Sequence, residues 1–363
     1  MRPLRALGRG VVIALARLIF GKPHPRPLGE VRRLLVIRTD ERVGNVLLTV
    51  PLLRALRRGL PGAEIVFLHA ASKGALVQGL PHVDRLVPFE KRDFFRRPWR
   101  FFAQLRRLRD DRFDVAIEAG HYHAFSLTAA LLCRFVRPRV SIGHDRGLAR
   151  WFFDHPVPPP AGVVQDVSVK LSLLAPLGLA DGDRRLETPL AADAAARERM
   201  RARLREAGID PDRVLVINPG ARMQVRRWDP ARYGALAARL SRAHGLQPVI
   251  LWGPGEEAIA RAVVAHAGRE ARLAPPTDLR ELAALLGLAR GFVTNDTGPM
   301  HLGVACGAPT VGIFLATDPR RWGHPDAAFA AVDLRGGEEG AEEAILAAAE
   351  RLFGAGAGRA RAG

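Results

Sequence analysis

Three short runs in the second half of the chain hold residue types that suit a diphosphate ester. In Phe292-Val-Thr-Asn-Asp-Thr-Gly-Pro-Met-His-Leu-Gly a strand reads to Thr294 and a helix follows at once. Asp296 falls at the expected N-cap and Pro299 in the first turn, where its missing N–H costs little. The first-turn N–H groups around Thr297 and Gly298, with the helix dipole, make a ready anion site. Gly298 permits close approach, the Thr297 hydroxyl adds a donor, and His301, one turn on, is placed to reach a phosphate or ribose oxygen. A capped helix with a structural histidine would show the same pattern. The second run, Ile217-Asn-Pro-Gly-Ala-Arg, leads through Arg222, Arg226 and Arg227 to Trp228. Arginines in a turn behind a strand suit phosphate, which a guanidinium binds bidentately. The third, Leu251-Trp-Gly-Pro-Gly-Glu-Glu, puts Glu256 or Glu257 at another strand end, where a carboxylate holds ribose hydroxyls or simply favours a helix start. Together they describe a nucleoside-diphosphate site at the carboxyl edge of a sheet.

Those strand ends must be set side by side by the elements around them. From Arg32 onward short apolar runs alternate with helical patterns, the β-α-β rhythm of a parallel sheet. Strands are expected at Leu34–Arg38, Glu64–His69, Arg85–Phe89, Asp114–Ile117 and Val140–Gly143, and again at Val214–Ile217, Pro248–Trp252, Phe292–Thr294 and Thr310–Phe314. Prolines across His155–Ala161 forbid regular helix; helices are expected at Asp166–Pro176 and Ala191–Ala207, with Ala180–Pro189 as a linker. The expected organisation is a basic amphipathic segment over 1–30, a first Rossmann-like domain over 31–185, a second over 186–355 and a frayed tail over 356–363, with ligands in a cleft where the two domains face each other.

Composition narrows the chemistry. No GxxxxGK[ST] loop is present, and the first turn, Thr39-Asp-Glu-Arg-Val-Gly-Asn, lacks GxGxxG, which argues against a P-loop hydrolase and a dinucleotide-dependent dehydrogenase. The two cysteines, Cys133 and Cys306, read as buried thiols of a reducing compartment, and no Cys/His spacing suggests a metal. The net charge of +18 predicts anionic partners. No RNA- or DNA-reading motif accompanies it, so nucleic acid is not the expected partner. The charge is concentrated: residues 1–33 carry eight basic side chains against Glu30, and Lys91–Arg112 carries nine against three acids, interleaved with Phe94, Phe95, Trp99, Phe101 and Phe102. Both segments suit an anionic membrane surface, the first as an interfacial helix over Val11–Phe20 rather than a signal peptide. A solvated helix burying its aromatics is the plainer alternative for the second.

The combination Asn218-Pro-Gly, Arg226-Arg-Trp, Trp252-Gly-Pro-Gly-Glu-Glu and Asn295-Asp-Thr-Gly-Pro-Met-His-Leu resembles glycosyltransferase family 9, the ADP-heptose:lipopolysaccharide heptosyltransferases, over roughly Arg32 to Pro325. The resemblance implies the GT-B fold, two α/β Rossmann-like domains around a cleft, with donor bound in the second and acceptor in the first. It implies an inverting, metal-independent transfer of heptose from a nucleotide-sugar donor to a lipid-linked saccharide, without a cofactor, by a cytoplasmic enzyme peripheral to the inner face of the inner membrane. By the same resemblance Asp296, Thr297, Gly298 and His301 match the donor-binding run, Arg226 stands where the family usually has lysine, and Glu257 matches the ribose carboxylate better than Glu256. One departure stands out. The family commonly has Gly-Asp in the first turn, the aspartate a candidate general base, and this chain has Gly44-Asn45. Asp40 or Glu41, in the same turn, is the expected substitute, because the attacking hydroxyl needs a carboxylate within hydrogen-bond reach. A transferase for another nucleotide sugar, or a degenerate protein that binds nucleotide sugar without turnover, fits the same residues.

Overall fold

The computed structural model describes residues 18, 21, 23–123, 125–146 and 151–356, without the side chains of 354–356. Most of the basic 1–30 segment, including all but one residue of the expected interfacial helix, and the tail beyond Gly356 lie outside them. Two compact units emerge: one holds residues up to 41, 51–74 and 79–183, the other 42–50, 75–78 and 184 onward.

The first unit is built on β1 (Arg33–Arg38), β2 (Glu64–Ala70), β3 (Arg85–Phe89), β4 (Val115–Glu118), β5 (Val140–His144) and β6 (His155–Val157), all parallel, in the order β3-β2-β1-β4-β5-β6. Strand β1 is buried from Leu34 to Arg38, as expected for a strand covered on both faces. The second unit carries β7 (Val214–Asn218), β8 (Gln247–Ile250), β9 (Arg272–Leu273), β10 (Gly291–Asn295), β11 (Thr310–Phe314) and β12 (Phe329–Asp333), ordered β9-β8-β7-β10-β11-β12, again all parallel. The two sheets therefore repeat one doubly wound topology, in which the winding direction reverses between β1 and β4 and between β7 and β10. This is the GT-B pair of Rossmann-like sheets.

The helices, in chain order, are α1 (Val43–Leu47), α2 (Val50–Gly59), α3 (Asp93–Arg96), α4 (Pro98–Asp110), α5 (Leu127–Val136), α6 (Asp166–Leu171), α7 (Ala194–Glu206), α8 (Pro230–His244), α9 (Glu257–Ala267), α10 (Leu279–Leu288), α11 (Gly298–Ala305), α12 (Pro319–Trp322) and α13 (Ala341–Gly356). Three strands were not expected from the sequence: β6, β9 and β12. Pro156 hid β6, but that strand lies at the sheet edge, where a missing N–H is tolerated. The helix expected over Asp166–Pro176 is α only to Leu171; Pro176 falls in a tighter 3₁₀ continuation, Ser172–Leu177. Cys133 is buried and Cys306 partly so, and burial pushes both thiols up, Cys306 to about 12.

Candidate functional site

In the second unit the carboxyl ends of β7 and β10 lie side by side, Asn218 opposite Thr294. The Asn218 amide donates to the Thr294 hydroxyl at 2.9 Å and the Thr297 hydroxyl at 3.1 Å. Asn295 ties the same two turns: its amide donates to the Pro219 carbonyl at 2.9 Å, and its oxygen accepts from the buried Tyr233 hydroxyl at 2.9 Å. Neutral amides and hydroxyls thus fix two strand-to-helix turns in one place.

Two expectations about this turn need correction. The N-cap of α11 is Thr297, not Asp296, and no side chain caps the helix. The Asp296 carboxylate instead accepts from Arg226 Nη1 at 3.1 Å and from the Thr317 hydroxyl at 2.5 Å. A buried carboxylate so engaged would repel a phosphate, so its work is to hold Arg226. Burial raises the Asp296 pKa, against the opposing pull of Thr317 and Arg226. The Thr297 hydroxyl, expected to serve an anion, donates to the Asn295 carbonyl at 3.2 Å. What the turn offers an anion is therefore backbone: first-turn N–H groups of a helix have no partner within it. Arg226 adds charge, and its buried Nε has no hydrogen-bond partner among the described residues.

The turn behind β7 is anchored by Trp228, buried, with its indole N–H donating to Glu338 at 2.9 Å and the Arg232 guanidinium 5.0 Å over its ring. That anchor carries Arg226 and Arg227 to the strand ends. Arg222 stays exposed, and among the described residues no hydrogen bond or ion pair ties it to Asp296 or Thr297. The two glutamates separate clearly. Glu256 accepts from the Gly253 N–H at 3.2 Å and lies 3.9 Å from Arg227, and a Cβ on Gly220 would fall 2.2 Å from its oxygen. Glu257 turns outward to Arg261 one turn along α9, at 2.5 Å. Glu256 is the carboxylate that faces the turns. His301 lies in α11, its Nδ1 2.9 Å from His324 Nε2, and a Cβ on Gly44 of the same unit would fall 2.3 Å from its ring. Burial and the neighbouring His301 hold His324 well below the usual histidine range, so one neutral imidazole is present in that pair at pH 7.

In the first unit a cavity of about 210 Å³ opens at the ends of β1 and β4, lined among others by Arg38, Asp40, Lys91, Glu118, His121 and Ser126. Arg38 is 3% exposed; Nη1 donates to the Ala119 carbonyl at 2.9 Å and Nη2 stands 4.0 Å from Asp40. Glu118 is ion-paired with Arg146, and Asp166 with Lys170; the Asp166 carboxylate also lies 3.1 Å from His121 Nδ1. Burial pushes the Glu118 carboxyl up despite Arg146. Burial works the same way on Asp166, but Lys170 and His121 together hold it well below the carboxylate range. Burial, with Arg38 adding to it, brings His121 down to about 4, and burial with Arg146 brings His144 to about 3. Asp40 lines this cavity; Glu41 is exposed, and Asn45 sits buried in α1 of the second unit. The sequence had flagged none of Arg38, Glu118, His121, Arg146, Asp166 or Lys170. The readable signals were an Asp and a Lys four apart in α6 and polar residues at both ends of the β1/β4 pair.

The profile of glycosyltransferase family 9 (heptosyltransferase) matches residues 101–339. The chain belongs to glycosyltransferase family 9. It is a glycosyltransferase, and every donor-side residue above falls within the matched span, whereas Asp40, Glu41 and Asn45 precede it. It is 30% identical over 292 residues to lipopolysaccharide heptosyltransferase 3 of Escherichia coli, covering 77% of this chain and 82% of that protein. Lipopolysaccharide heptosyltransferase 1 of Pseudomonas aeruginosa is 27% identical over 306 residues, 79% of each chain. Among solved structures, a family 9 glycosyl transferase from Veillonella parvula shares the fold at a TM-score of 0.77 and 21% identity, covering 89% of this chain and 97% of that one. Escherichia coli ADP-heptose lps heptosyltransferase II does so at 0.67 and 18%, covering 87% and 98%.

Proposed function

We propose that this family 9 enzyme transfers heptose from ADP-heptose to a lipid-linked saccharide of the lipopolysaccharide core, inverting the anomeric centre and using no metal. The observation that carries the donor half is the convergence of Asn218, Thr297, Arg226 and Asp296 on one pair of turns. Negative charge grows on the departing diphosphate, and pre-placed donors count most there. Arg226, oriented by Asp296, and the backbone at the start of α11 supply them; Glu256 takes the ribose hydroxyls. Gly298 lets the diphosphate approach, and His301 braces the helix from one turn further in. Arg222 and Glu257, exposed, serve the donor only as outlying charges.

The acceptor is read into the first unit, where Asp40 is the base. As the acceptor hydroxyl attacks the anomeric carbon, its proton passes to the Asp40 carboxylate, the glycosidic bond forms and the bond to diphosphate breaks. Glu41 is the weaker candidate because it lies off the cavity wall. The basic segments keep the enzyme on the cytoplasmic face of the inner membrane; no helix among the described residues is long and apolar enough to cross one. A panel of nucleotide sugars read by thermal shift and by nucleotide release tests the whole. Stabilisation and turnover with ADP-heptose are expected; preference for another nucleotide sugar would replace the donor, and binding without turnover on any acceptor would make the protein a non-catalytic binder.

A further inference from the structure

Helices α3 and α4 expose an unusual quantity of aromatic surface: Phe95 is 84%, Trp99 67%, Phe102 50% and Phe94 45% exposed. These rings form a cluster, with Phe94 edge-on to Phe95 at 4.8 Å and to Phe101 at 5.3 Å, and Phe101 edge-on to Phe102 at 5.5 Å. Helix α4 buries only Leu105 and Leu108 and packs Phe101 against the core, so Phe94, Phe95, Trp99 and Phe102 are not there to close it. Phe94, Phe95 and Phe102 line an apolar cavity of about 460 Å³, whose walls also include Phe89, Phe101, Leu105, Leu131 and Phe135; Trp99, on the same helix as Phe102, lies outside that lining. Contiguous apolar exposure of this kind marks an interaction site rather than ordinary surface. Lys91 lines the cavity, and the segment that carries the rings also exposes Arg92, Arg96, Arg97, Arg100 and Arg106, with Asp93 half-buried among them and Arg106 3.9 Å from Asp110.

We propose that this cavity seats an acyl chain of an anionic bilayer phospholipid, while the surrounding guanidinium groups meet its headgroup phosphate and those of its neighbours. The proposal rests on the membrane reading above and goes further: it names a cavity, a chain and a depth. An apolar pocket beside a predominantly cationic face is complementary to a lipid, whose apolar tail adjoins an anionic head. It is poorly matched to a protein surface, where both signs occur. Lys91 lines this cavity and also the polar one beside Asp40, so a seated lipid lies next to the acceptor pocket.

Phosphatidylglycerol vesicles with brominated acyl chains test it, since bromine quenches tryptophan only at chain depth. Full-length protein should bind and lose fluorescence, and because Trp99 reports the face beside the cavity, the seat itself is read in Trp99→Phe with Phe102→Trp, whose indole replaces a lining ring and should be quenched as well. The double variant Phe95→Ser with Phe102→Ser should lower partitioning about tenfold or more, while thermal stabilisation by ADP-heptose stays at the wild-type value. Binding to vesicles without chain-depth quenching overturns the acyl seat and leaves the membrane reading standing; no binding at low salt overturns both. Lipid-free dimerisation abolished by the same double variant would assign the patch to a second copy of the chain and overturn the proposal.

Discussion

At the reversal point of the first sheet, Arg38, Glu118 and His144 stand at the ends of β1, β4 and β5, charged or titratable and almost fully buried. At the corresponding point of the second sheet, β7 and β10 end in Asn218, Thr294 and Asn295, which are neutral and hydrogen-bonded to one another. One topology therefore presents two kinds of surface. The neutral amides hold a fixed frame for backbone N–H groups and one arginine, and a diphosphate bound as proposed would find little charge to rearrange when it arrives or leaves. The buried ions of the first unit are costly to maintain: removing one partner of such a pair costs about 3–5 kcal/mol. In return they hold a carboxylate and imidazole near a polar cavity. Fixed donors suit leaving-group stabilisation, and held carboxylates suit proton transfer, so the division matches the two halves of a glycosyl transfer.

The sharpest way to break that division is at Asp40. Asp40→Asn should lower kcat by about 10²–10⁴-fold, the usual worth of a positioned base, with ADP-heptose affinity unchanged by titration calorimetry. Glu41→Gln should remain near wild type, and full activity in both would remove the base from this turn. Arg226→Ala should come next, costing about 10²–10³-fold in kcat by analogy with the loss of a single transition-state donor. Arg226→Lys should recover part of that loss, because charge returns without the fork. Single-turnover rates at saturating donor separate this effect from binding. If Arg226→Ala instead raised donor KM alone, the arginine would be a ground-state contact. A smaller effect belongs to the glutamates: Glu256→Gln should raise donor KM about tenfold, the scale of one charged hydrogen bond, and Glu257→Gln should change it less than twofold. Equal effects would mean that the outward turn of Glu257 toward Arg261 does not persist when donor binds.

How far the sequence disclosed these two surfaces differs between the units for a physical reason. Donor-side residues are local in sequence: a strand, a tight turn and a helix start lie within a dozen positions, so 292–303 announces itself. Even there, the partner of Asp296 escaped notice, because Arg226 and Thr317 reach it from 70 and 21 residues away. Apart from the Asp166–Lys170 pair within α6, the first-unit cluster is non-local, gathered from β1, β4, β5, α6 and the turn after β4, and no spacing rule finds a guanidinium at 38 opposite a lysine at 170. Two of the edge strands were missed for another reason, while the edge strand β3 was expected where it lies. Strands β6 and β9 are only three and two residues long, below the length at which alternation can be read.

The smallest expected effect separates the units by acid. In the first unit burial lowers His69, His121 and His144 below the ordinary histidine value, His121 to about 4 and His144 to about 3. In the second, His324 is the histidine lowered in this way among the described residues. A histidine whose folded pKa lies below its unfolded value of about 6.5 stays neutral in the fold while the unfolded chain takes up a proton. Its contribution to stability is complete above about pH 6.5 and is lost as pH falls toward the folded pKa. Between pH 7 and 5.5 His121 and His144 should each withdraw about 1 kcal/mol. Asp166, held low, adds its own loss only below about pH 3.8 and so does not blur that window. Asp296 in the second unit and Glu118 in the first, both held high by burial, favour the protonated fold and offset part of the histidine loss in each unit, so the contrast rests on the larger number of lowered histidines in the first. Hydrogen exchange at pH 7.0 and 5.5 should therefore show core amides of β1, β4 and β5 losing protection more than those of β7, β10 and β11. The contrast should shrink in His144→Gln, which removes one titrating site while keeping a polar side chain. Uniform loss across both sheets would mean that the buried ions of the first unit do not set its acid sensitivity, and that the difference between the two surfaces is chemical only, without a counterpart in stability.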